Sequence, residues 1–308
     1  MATQIVPPSQ LARSLASYPL GLLLIVGSLL AVSVLLSKIA AGYHAPMLTY
    51  LAFAMGGSGL VLTIMTRGVR TGPAGALAVT GYSLGAGGLM ALGSAVGYLT
   101  VHEVGAAFIA LALAFPPMLT WLLSLVLRLE RFDTFRLLGL LFGLAGGVLL
   151  AVSKGINTPS DMGAVLVACA MPVILAVGNV FRTRYWPKGA NPRELAGAML
   201  ICGALLTLPF AIFVEGAWAM LALFGGEMLV VLAVAIVTFV AQYVALFRLQ
   251  QVAGPVYLSQ IGSVAAIVGS PVAVLALGEH VPDGFALAAL LIVLGLSIFQ
   301  HQAFKRRQ

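Results

Sequence analysis

The chain has 308 residues, of which 61% are hydrophobic and only 8% are charged. A soluble globular domain carries roughly a quarter charged residues, so this composition excludes an ordinary water-soluble fold. The formal net charge of +7 comes from basic residues between apolar runs, which indicates membrane topology and contact with anionic lipid rather than nucleic-acid binding.

Apolar runs recur along the chain, each near the roughly 20 residues that cross about 30 Å of hydrocarbon. We therefore predict an all-α integral membrane protein with about ten transmembrane helices. The first helix follows a polar, proline-containing segment, 1–17, which we expect in the cytoplasm. The predicted helices are 18–40, 46–66, 76–99, 104–127, 135–153, 162–182, 194–214, 227–247, 252–277 and 284–304.

The positions of the basic residues agree with this set of predicted helices. If the N-terminus is cytoplasmic and the helices alternate, only Lys38 and Lys154 of the 16 lysines and arginines fall on the outer side. This asymmetry is typical of membrane proteins whose inner loops are basic. We expect a multi-pass protein of the bacterial inner (plasma) membrane with both termini in the cytoplasm.

Two segments of the chain resemble each other, Val104–Gly147 and Val252–Gly295. Each has a small-residue turn, an apolar helix, a charged pair (Glu130-Arg131 or Glu279-His280) and an Asp before the next helix. The offset of about 149 residues is near half the chain, which indicates an internal duplication. An odd number of helices per half makes the halves opposite in orientation. We predict two inverted five-helix repeats, 18–153 and 162–304.

The repeat ends also carry a family resemblance. The residues concerned are Val104-Gly105-Ala106-Ala107, Pro116-Pro117, Leu129-Glu130-Arg131-Phe132, Gly139, Gly143 and Gly146, with Gly254-Pro255, Leu277-Gly278-Glu279-His280 and Gly295 in the second copy. In these features the chain resembles the drug/metabolite transporter superfamily, in its ten-helix branch with two EamA-type repeats. It departs from that pattern at Arg128-Leu129, Ala288 and Ile292, which bears on packing. The resemblance implies a carrier for a small organic solute, commonly an amino acid moved outward.

The acidic residues constrain the coupling mechanism. All nine Asp and Glu residues lie at or beyond the ends of predicted helices. Proton-coupled exporters of cationic drugs use a carboxylate within the membrane. Its absence favours a neutral or zwitterionic metabolite, such as an amino acid, carried by alternating access. The alternatives are a multidrug exporter, or an exchanger of anionic metabolites such as nucleotide sugars or organic phosphates, which would need several cavity cations.

Uncharged polar and aromatic side chains within the helices are the candidate substrate-binding residues. A polar group at this depth needs a partner, which is a neighbouring helix, water or a ligand. The candidates are Tyr82, Tyr98, Trp121, Asn179, Gln242, Tyr243, Tyr257, Ser259 and Gln260. Small residues spaced by four, such as Ser33 and Ser37, predict close helix packing instead.

Lys38 and Arg182 occupy matching places in the two halves, at opposite membrane faces. Each either extends to the lipid headgroups or flanks an entrance and attracts a carboxylate. We treat both as candidate entrance residues.

Enzymatic motifs are missing from the sequence. It contains no GxSxG, no HExxH and no pair of acids within a predicted helix, and its two cysteines are isolated. We therefore predict no enzymatic activity, no metal and no cofactor. The expected partners are a small-molecule solute and membrane lipid, with the chain a monomer or a weak homodimer.

Overall fold

Helices form nearly all of the described structure. The computed structural model describes residues 19–66, 75–128, 130–157 and 162–305, apart from the side chains of 154–157, 251, 253–257, 259 and 302–305. These ranges contain α-helices, one short 3-10 helix (Ala219–Phe224) and no strand. The α-helices are α1 (Pro19–Gly42), α2 (Met47–Met65), α3 (Ala76–Val104), α4 (Ala106–Ala112), α5 (Pro116–Val126), α6 (Thr134–Asn157), α7 (Met162–Ala168), α8 (Ala170–Arg184), α9 (Pro192–Glu215), α10 (Gly226–Ser259), α11 (Ile261–Ala276) and α12 (Phe285–Lys305).

Helix length and surface both fit a membrane protein. In the described ranges, eight helical runs are long and apolar enough to cross a membrane, with α4 and α5 forming one run and α7 and α8 another. Two further apolar helices, Ile261–Ala276 and Phe285–His301, are shorter. Large apolar side chains face outward, such as Phe213, 88% exposed, and Leu275, 84% exposed. A surface of this kind is unfavourable in water and agrees with the predicted all-α, multi-pass membrane protein.

Several helix boundaries differ from the prediction. The predicted helix 104–127 is interrupted between α4 and α5, and the helix 162–182 is interrupted between α7 and α8. The predicted start at 252 is wrong, because α10 continues to Ser259 and α11 begins at Ile261. Proline fixes φ near a helical value, so Gly254-Pro255 costs a hydrogen bond without ending the helix. Gly105, by contrast, has a φ of +91° and ends α3.

Glycines bring pairs of helices into backbone contact. α6 and α12 cross where a Cβ on Gly139 would lie 2.6 Å from the Gly295 carbonyl oxygen, and a Cβ on Gly295 2.5 Å from the Gly139 oxygen. α2 and α9 pack closely as well, and a Cβ on Gly197 would lie 3.3 Å from the Gly59 oxygen. Such contacts stabilise helix pairs in lipid, where apolar burial gives little driving force.

The long helix α3 runs from one end of the bundle to the other. Near the C-terminus of α3, the His102 carbonyl accepts a hydrogen bond from Lys38 Nζ at 3.0 Å. Near its N-terminus, Tyr82 stacks on Phe181, with 6.3 Å between ring centroids. Arg182 follows Phe181 in the chain. We call these the Lys38 end and the Arg182 end.

Candidate functional site

A cavity lies at the centre of the bundle, among α1, α3, α8, α10 and the interrupted helices α4/α5 and α10/α11. Its solvent-accessible volume is about 130 Å³. One water needs about 10–15 Å³ by this measure, so the cavity has room for a small metabolite. The wall is mostly apolar, with residues such as Leu89, Met90, Met171, Leu175 and Phe239.

Two helix interruptions meet at this cavity. α4 ends at Ala112, and α5 begins at Pro116. Neither Pro116 nor Pro117 has an N–H for the Leu113 carbonyl, so the interruption frees that oxygen from the helical ladder. Gly262, in the first turn of α11, approaches it so closely that a Cβ there would lie 1.9 Å from the Leu113 oxygen. Both residues line the cavity.

Ser33 and Gln242 join α1 to α10 on the cavity wall. Ser33 Oγ lies 3.0 Å from Gln242 Oε1 and also 3.0 Å from the Leu29 carbonyl oxygen. A hydroxyl has one hydrogen to donate, and the orientation of an amide is assigned from its neighbours. In either assignment, one polar group of the Gln242 amide makes no hydrogen bond within the described residues, and Gln242 lines the cavity.

Tyr98 contributes a further unsatisfied polar group. Its side chain is 7% exposed, and its hydroxyl has no hydrogen-bond partner in the described part of the chain. The ring packs on Tyr50, with 5.8 Å between centroids, and lines the cavity. Tyr243 differs, because its hydroxyl lies 2.8 Å from Met90 Sδ. Buried polar groups are nearly always paired, so the Tyr98 hydroxyl is a candidate contact for a solute or a water.

At the Arg182 end, a cation lines the cavity and an aromatic cluster adjoins that cation. Arg182 Nη2 donates to Asn179 Oδ1 at 2.5 Å, and both residues line the cavity. We define the aromatic cluster as Tyr82, Phe181, Trp186 and Phe247. Tyr82 packs on Phe181 and Trp186, and Trp186 packs on Phe247, with 5.7–6.3 Å between ring centroids. The cluster joins α3, α8 and α10.

At the Lys38 end, an ion pair lies in the lining of a second pocket. A pocket of about 300 Å³, which we call the end pocket, includes Lys38 and Glu279 in its lining, whereas Ser37 lines the central cavity. Glu279 accepts hydrogen bonds from the Ala106 and Ala107 N–H groups at 2.7 and 2.8 Å, and it lies 3.8 Å from Lys38 Nζ. The carboxylate therefore caps α4 and holds α1, α4 and the chain after α11 together.

The structure brings some of the predicted site residues together at the cavity. Those on its wall are Tyr98, Asn179, Arg182, Gln242 and Tyr243. The predicted residues Tyr257 and Ser259 have side chains outside the described set.

The remaining predicted residues lie elsewhere. Tyr82 belongs to the aromatic cluster, and Trp121 packs edge-on against Phe299, with 5.8 Å between centroids. Gln260 is buried at the interruption before α11 and is not among the described lining residues. Lys38 lines the end pocket instead.

Sequence reasoning did not identify Ser33, Gly262 or Glu279 as functional residues. Ser33 stands in a small-residue pattern that predicts only packing, yet it bonds to a residue 209 positions away. In the sequence, the only indication of a role for Glu279 is that it belongs to a charged pair present in both repeats. Its contact with the first half appears only in the folded chain.

We expect Gln242→Leu to lower solute affinity by about 2- to 10-fold, the usual loss for a neutral hydrogen bond. Folding should be little affected, because Ser33 still has the Leu29 carbonyl as acceptor. The measurements are the half-saturation concentration for solute exchange and the melting temperature in detergent. Gln250→Leu is the matched control, since it makes the same change on α10 outside the described lining. A lower melting temperature with unchanged affinity would identify Gln242 as an interhelical strut.

Comparison with known proteins supports the fold alone. No family model and no curated protein matches the chain. A crystal structure of a protein of unstated function is similar over 90% of this chain and 96% of that one, with 23% identity and a TM-score of 0.57. The chain shares its overall helical fold with that protein.

Proposed function

We propose that this protein is a membrane carrier that moves a small neutral or zwitterionic metabolite, of the amino acid class, by alternating access. The observation that carries the proposal is a central cavity at the meeting point of two interrupted helices. Repeat-built carriers use interrupted helices to place unpaired backbone groups beside the substrate near the middle of the membrane. The freed Leu113 carbonyl and Gly262 lie together on the wall of this cavity.

Helix packing supports two inverted repeats of five helices. We count α4/α5 and α7/α8 each as one membrane crossing. The first crossing is then α1 in the first half and α7/α8 in the second half, and the third crossing is α3 in the first half and α10 in the second half. The first helix of the first half, α1, packs on α10, and the matching first crossing of the second half, α7/α8, packs on α3. In the same way, α1 packs on α11 and α8 packs on α5. Each of these contacts has a counterpart with the halves exchanged, as a two-fold pseudo-symmetry requires. On this basis α11 and α12 are the ninth and tenth crossings.

The two ends of the cavity differ in a way that alternating access explains. At the Lys38 end, Glu279 of the second half caps a helix of the first half. Its counterpart Glu130 lies 3.4 Å from Arg136 of its own half, with 42% of its side chain exposed. The glutamate of the second repeat therefore joins the two halves at the Lys38 end, whereas its counterpart Glu130 pairs within its own half. Opening the Lys38 end requires the Glu279 contacts to break.

The chemistry of the cavity supports a small amphipathic solute. Apolar walls with few polar groups are typical of metabolite sites, and the described lining contains no carboxylate that could exchange a proton for a cation. The one arginine in this lining is fewer than the several cations that phosphate compounds require. The resemblance to EamA-type carriers supports export. Nucleotide sugars, organic phosphates and cationic drugs are the alternatives that an assay must include.

We expect both termini on the cytoplasmic side of the inner membrane, because the positive-inside rule places the basic segments there. Reporter fusions after Gln308 and within 154–161 should report opposite sides. A C-terminal fusion active only in the periplasm would contradict the ten-helix topology.

Solute exchange by purified protein in liposomes tests the function. Vesicles loaded with one unlabelled solute are given the labelled form, using amino acids, nucleosides, sugars, nucleotide sugars and cationic dyes, with protein-free vesicles as control. We expect amino acid exchange to persist with a protonophore, because the described lining offers no carboxylate to couple protons to transport. Complete loss of exchange would contradict this mechanism, and exchange of another class alone would contradict the proposed solute.

A further inference from the structure

Arg182 is the one charged side chain among the described residues that line the central cavity. Two ion pairs among the described residues join Glu279 to Lys38 and Glu130 to Arg136, and neither includes Arg182. Arg182 is half-buried, and a partly buried charge gains from a partner of opposite sign. A solute with one negative charge would supply that partner.

The guanidinium is directed into the bundle. Its hydrogen bond goes to Asn179, three residues earlier and one turn farther from the end of α8. An arginine that reaches for lipid headgroups extends beyond its helix end instead. Asn179 is itself held by Thr120 of α5, with 3.4 Å between Nδ2 and Oγ1. The position of Arg182 is thus fixed from two helices, although the helix C-terminus alone would also favour a cation there.

The charge and geometry of Arg182 match a single carboxylate. A guanidinium binds a carboxylate through two parallel hydrogen bonds, and one arginine balances one negative charge. The other polar side chains of the described lining are uncharged, such as Ser33, Tyr98 and Gln242. None of them balances the charge of an ammonium group. The cavity is therefore built to recognise the acid end of an amino acid rather than its amine.

We propose that Arg182, positioned by Asn179, is the carboxylate subsite of the central cavity. The apolar part of the solute lies against Leu175 and Phe239, with its far end toward the Tyr98 hydroxyl. This inference rests on the proposed transport of an amino-acid-like solute. It adds that binding requires the carboxylate of the solute but not its ammonium group.

Compounds that differ by one charged group test the subsite. Three series are measured by competition against exchange of the labelled amino acid and by thermal shift of the purified protein. They are alanine, propanoate and ethylamine; leucine, 4-methylpentanoate and 3-methylbutylamine; phenylalanine, 3-phenylpropanoate and 2-phenylethylamine. We expect the acid without an amine to bind within about 3-fold of the amino acid. The amine without an acid should bind about 10- to 100-fold more weakly, the usual loss for charge-assisted hydrogen bonds.

Variants then assign the preference to Arg182. Arg182→Gln should remove the preference for acid over amine, and Arg182→Lys should keep part of it, because the charge remains while the planar fork is lost. Arg184→Gln is the control, since it removes an exposed charge two residues farther along the same helix and should leave the preference unchanged. If Arg182→Gln does not fold, the preference for acid over amine in the wild-type protein and in Arg182→Lys still tests the subsite.

The outcomes separate this inference from the transport function. Amines that bind wild-type protein as tightly as acids would overturn the carboxylate subsite while amino acid exchange still stands. A preference for acid over amine that persists in Arg182→Gln would also overturn the carboxylate subsite. Binding of none of the nine compounds, together with no amino acid exchange, would contradict both the subsite and the proposed function.

Discussion

Glu279→Ala is expected to open the barrier between the central cavity and the end pocket. The substitution leaves the Ala106 and Ala107 N–H groups without their carboxylate acceptor and Lys38 without its ion-pair partner. Loss of a helix cap costs about 1 kcal/mol, and bonds to a charged acceptor cost more. A loss of 1–2 kcal/mol changes a two-state ratio about 5- to 30-fold. Because the cap joins the two halves, this loss should favour the state that is open at the Lys38 end.

Cysteine accessibility measures this opening. Ser37 lines the cavity and is 2% exposed, so a Ser37→Cys probe should react slowly with a membrane-impermeant thiol reagent added at the Lys38 end. The rate should rise about 5- to 30-fold in the Glu279→Ala background. Cys169 and Cys202 are free and are replaced by serine beforehand.

Two further variants control the interpretation. Glu103→Ala removes an exposed carboxylate from the end pocket without removing a cap, so the Ser37→Cys rate should stay at its starting value. Lys38→Gln should have a smaller effect than Glu279→Ala, because it leaves the two cap bonds in place. Equal rates in the Glu103 and Glu279 variants would show that the cap does not hold the gate.

The fold class was predictable because it depends on local properties of the chain. Apolar content and run length decide that a segment crosses a membrane, and the described structure bears out the helical, multi-pass character. Helix interruptions were harder to predict. Pro116-Pro117 begins a new helix, whereas Gly254-Pro255 lies within α10, since proline is compatible with helical φ and neighbouring groups decide the rest.

The site was only partly predictable, because helix direction and partner choice are tertiary properties. Tyr82 and Tyr98 both lie on α3, but sixteen positions at 3.6 residues per turn place them about 160° apart around the helix. Only Tyr98 lines the cavity. Tyr257 and Gln260, three positions apart, would share one face of an uninterrupted helix, but the interruption before Ile261 removes that periodicity. Asn179 and Gln242 lie well inside α8 and α10, away from the interruptions, and both line the cavity.

Gly262→Ala is expected to disrupt the meeting point of the two interrupted helices. The added Cβ would lie 1.9 Å from the Leu113 carbonyl oxygen and 3.0 Å from its carbon. The obstructing atoms belong to the backbone, so a side-chain rotation cannot relieve the clash. α11 must move away from α4, at a cost of about 1–3 kcal/mol for overpacking. Because this contact forms part of the cavity wall, we expect exchange to fall together with the melting temperature in detergent.

A graded series on other glycines shows whether the close approach causes the loss. Gly269→Ala, also on α11, would place its Cβ 3.0 Å from Ala110 Cβ and 3.2 Å from Ala31 Cβ, so its effect should be intermediate. Gly81→Ala, on α3, has no atom within 4 Å of the new Cβ and should be neutral or stabilising by about 0.5–1 kcal/mol, the usual gain from replacing a helical glycine. The order of melting temperatures should be Gly81→Ala, Gly269→Ala, Gly262→Ala, from highest to lowest. If the Gly262 variant matched the Gly81 variant in both stability and exchange, the helix meeting point would not shape the cavity.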